Sequence, residues 1–269
     1  MRLALPIACA IAALAGSAVA DGLPPPPALQ QARVDERIGE RIPLDLWFSD
    51  AIGRRLQLRD VFDPANRRPV LLVLSYVRCR MLCSLVLRGA TDAVAAMPLV
   101  LGRDYRFVVV SIDPREDAAS AAVRSRELQA RLGGSGDVQY LVGAERPIRA
   151  LADSLGFHYA WDDRTEQFAH PAVVFVLAPD GMIVQYLHGV QFEPMVLARA
   201  LRSAARGERG VAAAIGDSVL GCFRFDPAAR AHRVMIESYL RIGAAVLTLT
   251  LGSAVLWLFL WERRRGRMS

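Results

Sequence analysis

A chain of 269 residues with 53% hydrophobic residues, 22% charged residues and a net charge of +6 is long enough for one domain of roughly 150–200 residues plus additional segments. Its four cysteines exclude a disulfide-stapled miniprotein, and its apolar fraction excludes disorder along the whole chain. A mean hydropathy of +0.25 is high for a soluble domain and directs attention first to membrane segments.

Residues 1–20 read MRLALPIACAIAALAGSAVA. One arginine, a short apolar run and the small residues Ala18-Val19-Ala20 before Asp21 have the pattern of a secretory signal peptide. Cys9 lies in its apolar run and leaves with it. Residues 21–39 hold Pro24-Pro25-Pro26-Pro27 and are expected to form a Pro-rich linker. A domain is expected over 40–206. Its first feature is a β-hairpin over Ile42–Phe48 and Arg54–Leu58 with a glycine in the turn. Val70–Tyr76 is a continuous apolar run, as in a strand buried on both faces. Met81–Met97 has helical spacing. Phe107–Ile112 is a second buried strand, ended by Asp113-Pro114. A charged helix follows over Asp117–Leu132, closed by Gly133-Gly134. Val138–Val142 predicts a short strand, and Pro147–Leu155 a helix opened by proline and stopped by Gly156. Ala172–Leu177 and Met182–Leu187 flank the turn Ala178-Pro179-Asp180-Gly181. Glu193–Ala205 closes the domain as an amphipathic helix.

Residues 207–241 form a juxtamembrane connection. Residues 242–261 are uncharged and long enough to cross a hydrocarbon layer of about 30 Å. Trp257 and Trp261 lie at one end, and Arg263, Arg264, Arg265 and Arg267 follow. Such arginines place the tail, 262–269, in the cytoplasm. The expected topology is a single pass of a bacterial inner (cytoplasmic) membrane, with the folded domain on the periplasmic, oxidising side. Arg2 supplies +1 of the net +6, and Glu262 with the four arginines supplies +3, so residues 21–261 carry +2. That balance argues against a nucleic-acid partner.

The order hairpin, β-α-β-α-β-α, β-hairpin, α predicts an α/β domain. Its central sheet is mixed, parallel in the alternating units and antiparallel in the closing hairpin, with helices on both faces. This is the thioredoxin-like arrangement.

Cys79 and Cys83 stand in Tyr76-Val-Arg-Cys-Arg-Met-Leu-Cys-Ser, at the turn from the first buried strand into a helix. A spacing of four puts both sulfurs on one helix face, where they close a disulfide if the first turn is irregular or bind one metal. The helix N-terminus, Arg78 and Arg80 favour thiolate, which is both nucleophile and metal ligand. His170, before Pro171 at the entrance to a strand, is the third candidate ligand. Two thiolates and a neutral imidazole select copper, as Cu(I) or Cu(II), and the same donors also suit zinc. His158, His188 and His232 stand apart from this set. Cys222, left over once Cys9 is removed, is an accessory ligand, a resolving thiol or an unpaired packing residue.

At these positions the sequence resembles the SCO/SenC family of thioredoxin-like copper chaperones of cytochrome c oxidase assembly, in a bacterial membrane-tethered form. The resemblance covers roughly residues 40–205. It rests on Tyr76-x-x-Cys79-x-x-x-Cys83, on Ser111-Ile-Asp-Pro-Arg-Glu-Asp117, and on His170 before a strand and a Pro-Asp-Gly turn. It implies copper held by Cys79, Cys83 and His170, with Asp113 and Asp117 as the family's acidic motif. The residues by themselves favour reading those two aspartates as turn and helix-capping residues. The family usually has proline directly after the first cysteine, where this chain has Arg80. Cys222-Phe-Arg-Phe-Asp-Pro227 resembles a C-terminal extension of some membrane-tethered members.

The implied function is a metallochaperone rather than an enzyme. It delivers copper to, or prepares the thiols of, the binuclear copper site of cytochrome c oxidase subunit II. A second periplasmic copper chaperone or a thioredoxin-like reductant is a further class of partner. The alternative is a membrane-anchored thiol–disulfide oxidoreductase using Cys79 and Cys83 as redox thiols on periplasmic proteins. A thiol peroxidase is disfavoured, because no threonine precedes Cys79 at the required spacing and His170 would have no role.

Overall fold

A computed structural model describes residues 26–78, 82–133 and 138–208, together with 250, 252, 253 and 257. The chain divides into two compact units, Met1–Ala212 and Ala213–Ser269, and the α/β fold lies in the first.

Its elements are α1 (Pro27–Gln31), β1 (Arg33–Val34), β2 (Trp47–Ser49), β3 (Arg55–Gln57), β4 (Val70–Ser75), α2 (Leu82–Ala96), β5 (Arg106–Ser111), α3 (Ala118–Arg131) and β6 (Val138–Leu141). They continue with α4 (Glu145–Ser154), β7 (Phe157–His158), β8 (Ala160–Asp162), β9 (Gln167–Ala169), β10 (Val173–Leu177), β11 (Ile183–His188) and α5 (Pro194–Ala205). Five strands form the central sheet in the order β11-β10-β4-β5-β6. The pairs β4–β5 and β5–β6 are parallel, and β10 is antiparallel to both β4 and β11. The sheet is therefore mixed, in the thioredoxin-like manner.

The apolar runs are explained by burial on both faces. Every residue of β4 is buried, and successive side chains point to opposite sides. Leu71 and Val73 pack with Val86 and Ala90 of α2, Ala121 of α3 and Leu201 of α5. Leu72 and Leu74 pack with Ile148 and Leu151 of α4 and with Phe48 and Leu56 of the β2–β3 hairpin. A sheet sandwiched in this way has no wet face, so alternation of polar and apolar residues disappears from its central strands.

Helix ends follow local chemistry. Asp117 caps α3 by accepting a hydrogen bond from the Ser120 amide at 2.9 Å. Glu193 does the same for α5 through Val196, with Pro194 at the first helical position. Helix α4 starts at Glu145, earlier than its proline suggests. Pro147 sits in the first turn, where a missing N–H costs nothing.

Two regions differ from the sequence expectation. The N-terminal stretch read as a linker carries α1 and β1 within the described residues. Arg33 and Val34 pair with His158 and Phe157, and the Gly39 amide donates to the Ile183 carbonyl. Residues 157–169 also hold β7 and a β8–β9 hairpin. No glycine or proline marks that hairpin's turn. Asp162 instead accepts from the Arg164 amide, and Glu166 adopts a positive φ.

The signal peptide expected over 1–20 lies outside the described residues. Of the span expected over 242–261, only four positions are described. Among the described residues no helix is long and apolar enough to cross a membrane.

Candidate metal centre

The site forms where β4 ends. In an open α/β sheet, the carboxyl ends of parallel strands border the ligand crevice. Cys83 follows β4 as the second residue of α2. His170 lies 87 residues further along, just before β10. Because β10 runs antiparallel to β4, with Phe175 opposite Leu72, the residues preceding β10 return to the end of β4 and face the cysteine turn. Sheet register, not sequence proximity, brings this pair together.

Cys83 and His170 are both buried, and Cys83 Sγ lies 2.5 Å from His170 Nε2. The other ring nitrogen, Nδ1, lies 2.9 Å from the Pro171 carbonyl oxygen. A carbonyl only accepts, so Nδ1 carries the proton and donates. In a neutral imidazole this leaves the Nε2 lone pair directed at sulfur. A second nitrogen tied to a backbone carbonyl is how metal-binding histidines are oriented. The ring is held edge-on by Tyr76 at 6.2 Å and at a tilt by Phe157 at 6.0 Å. Tyr76 Oη accepts from the Phe168 amide. These aromatic rings wall the buried donors off from the surface.

Cys79 lies outside the described residues, as does Cys222. Among the described residues no group of three or more His, Cys, Asp or Glu side chains is placed to hold one metal ion. Cys83 and His170 are the two expected ligands that the described residues bring together, and their donor chemistry fits copper or zinc.

Asp113 is fully buried and forks with Arg115, Nε to Oδ1 at 2.7 Å and Nη2 to Oδ2 at 2.8 Å. Burial alone would raise its carboxyl pKa, but the hydrogen bonds from Arg115 outweigh it and hold the pKa below the usual aspartate value. Arg115 in turn lies over the Trp161 ring at 4.5 Å. The acidic motif thus anchors an arginine rather than joining Cys83 and His170. Asp117 is the exposed α3 cap, and hydrogen bonds from Ser120 lower its pKa. Its stabilising effect is therefore present above the ordinary aspartate value and lost as pH falls through the lowered one. We expect Asp117→Ala to lower Tm by a few degrees at pH 7, with the difference closing in acid and copper binding unchanged. Thermal scans at neutral and acidic pH check this.

Sequence reasoning missed Glu116, which sits between those two aspartates and is buried. Its carboxylate accepts from the Val77 amide, the Ser111 hydroxyl and the Tyr140 hydroxyl. Burial raises its pKa in spite of these bonds. No local signal separates it from a surface glutamate, because its partners come from three different parts of the chain. His158 and His188 pair with Asp35 and Glu36, away from the cysteine. Beside the site, a cleft of about 490 Å³ is lined by Tyr76, Arg78, Arg115, Trp161 and Gln167, among others.

The SCO1/SenC family model matches residues 63–206. Among solved structures, a protein of Aquifex aeolicus VF5 whose name proposes electron transfer is 25% identical, with a TM-score of 0.55, covering 64% of this chain and 96% of its own. A second Aquifex aeolicus VF5 structure, named for electron transport, is 24% identical with a TM-score of 0.51, covering 64% of this chain and 100% of its own. ScoI of Arabidopsis thaliana, a structure with copper bound, is 17% identical with a TM-score of 0.48, covering 64% of this chain and 99% of its own. No curated protein matches the chain. The family match spans more than half of the sequence and contains both Cys83 and His170, and the chain belongs to the SCO1/SenC family.

Proposed function

We propose that this protein is a membrane-tethered metallochaperone that carries copper to the binuclear copper site of cytochrome c oxidase subunit II, or prepares that site's thiols. The observation that carries the reading is the buried Cys83 Sγ–His170 Nε2 pair, with Nδ1 committed to the Pro171 carbonyl. Cys79 supplies the second thiolate. Copper is the cargo, and two soft thiolates with one neutral imidazole suit it in both oxidation states. The chain's own task is to hold those donors deprotonated and dry. Release proceeds by ligand exchange, an acceptor thiolate replacing one of Cys79 or Cys83. A low-coordinate soft site leaves room for that incoming ligand. The signal peptide and C-terminal span would place this chemistry on the periplasmic side.

One observation favours a second reading. A cysteine whose proton has a nearby imidazole acceptor is a primed nucleophile. The Cys79–Cys83 dithiol would then reduce a disulfide in the acceptor. Two electrons and two protons pass to the acceptor's sulfurs as Cys79 and Cys83 join. Both roles use the same thiols, and metal binding separates them.

Anaerobic titration of the reduced full-length protein in detergent with Cu(I), followed by oxidation of the bound metal, tests the primary reading. We expect one tightly held copper per chain and a sulfur-to-copper charge-transfer band in the oxidised form. Absence of stoichiometric binding overturns it.

A further inference from the structure

The backbone of Val77 is held on both sides of its Cα by side chains of opposite charge. Its amide donates to Glu116 Oε1 at 2.5 Å. Its carbonyl accepts from Arg124 Nη2 at 3.0 Å. Neither side chain is local, since they lie 39 and 47 residues away in sequence. Glu116 is fixed from the far side, where Oε2 accepts from the Ser111 hydroxyl at 2.7 Å and the Tyr140 hydroxyl at 3.3 Å. Arg124 is fixed by Glu127 at 2.9 Å. The frame of this device is therefore the end of β5, strand β6 and helix α3.

Burying a carboxylate is costly unless donors surround it. The fold meets that cost at a strand exit, where a backbone amide is ordinarily satisfied by water or by another backbone group. The location suggests why. Val77 directly follows Tyr76, whose ring packs on His170, and it precedes the turn into α2 that bears the cysteines. Fixing the backbone on both sides of the Val77 Cα fixes the direction in which the chain leaves the imidazole's wall, ahead of the helix that carries Cys83.

We propose that Glu116 and Arg124 are positioning residues, a two-point clamp on the Val77 backbone that sets Cys83 against His170 and so tunes copper affinity and thiol redox behaviour. The inference rests on the copper reading for its metal readout but not for its thiol readout. Neither residue is a ligand, and each acts through the backbone.

The test compares Glu116→Ala, Glu116→Gln and Arg124→Ala with the native full-length chain. Cu(I) affinity is read by competition with a chromogenic chelator. The dithiol–disulfide equilibrium is read against glutathione, and both are normalised to folded protein. Glu116→Ala should weaken copper binding about 10-fold or more, as loss of an outer partner of a metal ligand does. It should also shift the glutathione equilibrium constant by a similar factor. Glu116→Gln should restore both, because its amide oxygen accepts from Val77 and its amide nitrogen donates to the two hydroxyls. Arg124→Ala should move both readouts in the same direction. Its side chain is 20% exposed, so this variant decides the matter if Glu116→Ala fails to fold. A fall in Tm with neither readout changed in the folded variants assigns the clamp a merely structural role and overturns the proposal. If the native chain binds no copper while the glutathione equilibrium shifts in Glu116→Ala, the copper reading falls and the clamp stands.

Discussion

Replacing His170 by alanine should lower copper affinity by at least about 100-fold, because loss of an outer partner alone costs 10–100-fold and here a donor itself is removed. The imidazole is the sole nitrogen donor of the proposed set. Its Nε2 faces Cys83 Sγ, and its Nδ1–H donates to the Pro171 carbonyl. Alanine leaves only sulfur, which favours Cu(I) over Cu(II). The charge-transfer band of the oxidised form should therefore be lost even at copper concentrations that refill the thiols. The variant also leaves a void between Tyr76 and Phe157, at a stability cost of about 2–4 kcal/mol. Affinity must then be measured below the lowered Tm. Dithiol–disulfide exchange should persist, since Cys79 and Cys83 remain. Native copper affinity in the His170→Ala protein would remove the imidazole from the site.

Gly156→Ala should destabilise the fold by about 3 kcal/mol or more, or roughly 10 °C in Tm for a domain of this size. Two causes add. Gly156 has φ +60, a left-handed conformation in which a side chain is strained. A Cβ built there would also lie 1.9 Å from the Asp35 carbonyl oxygen. That atom belongs to backbone which cannot simply turn aside. The Asp35 amide donates to the Gly156 carbonyl, and β1 is paired to β7 directly beyond it. Relief of the clash requires the N-terminal strand to lift from Phe157, one of the walls around His170. Copper affinity should fall modestly along with stability. Gly102→Ala is the control. Gly102 has φ +83, with nothing within 4 Å of an added Cβ, so it reports backbone strain without the clash. Equal Tm losses in the two variants, read by calorimetry, would show that the close approach to Asp35 contributes nothing.

Much of the fold is legible in the residues because it is local. The apolar runs Val70–Tyr76 and Phe107–Ile112 become the strands Val70–Ser75 and Arg106–Ser111, since continuous apolar runs of that length suit a doubly covered sheet. Gly133, Gly156 and Gly181 all take positive φ, at the helix ends and turn where glycine was read as punctuation. The β8–β9 hairpin escaped because its turn uses Asp162 and Glu166 in place of glycine or proline. Asp113 shows the limit from another direction. The family resemblance places Asp113 in an acidic motif, yet Arg115, two residues on, occupies both of its oxygens. A side-chain fork of that kind depends on the backbone path of one turn, which composition does not specify.

The chemistry on offer is written in single residues. The sequence by itself named the thiols, the imidazole, the strand-to-helix turn that bears the cysteines, and the apolar ends that predict export and anchoring. These are properties of single residues and short periods, where sterics and hydrophobic pattern act within a few positions of the chain. The assembly of the site, by contrast, comes from long-range packing. The tertiary structure placed His170 against Cys83 through the antiparallel register of β10 on β4. It bonded Nδ1 to the Pro171 carbonyl, and it buried Glu116 against the Val77 amide. Each of these depends on groups separated by tens of residues meeting within hydrogen-bond distance, and such meetings follow from how strands pair and layers pack, not from local preference.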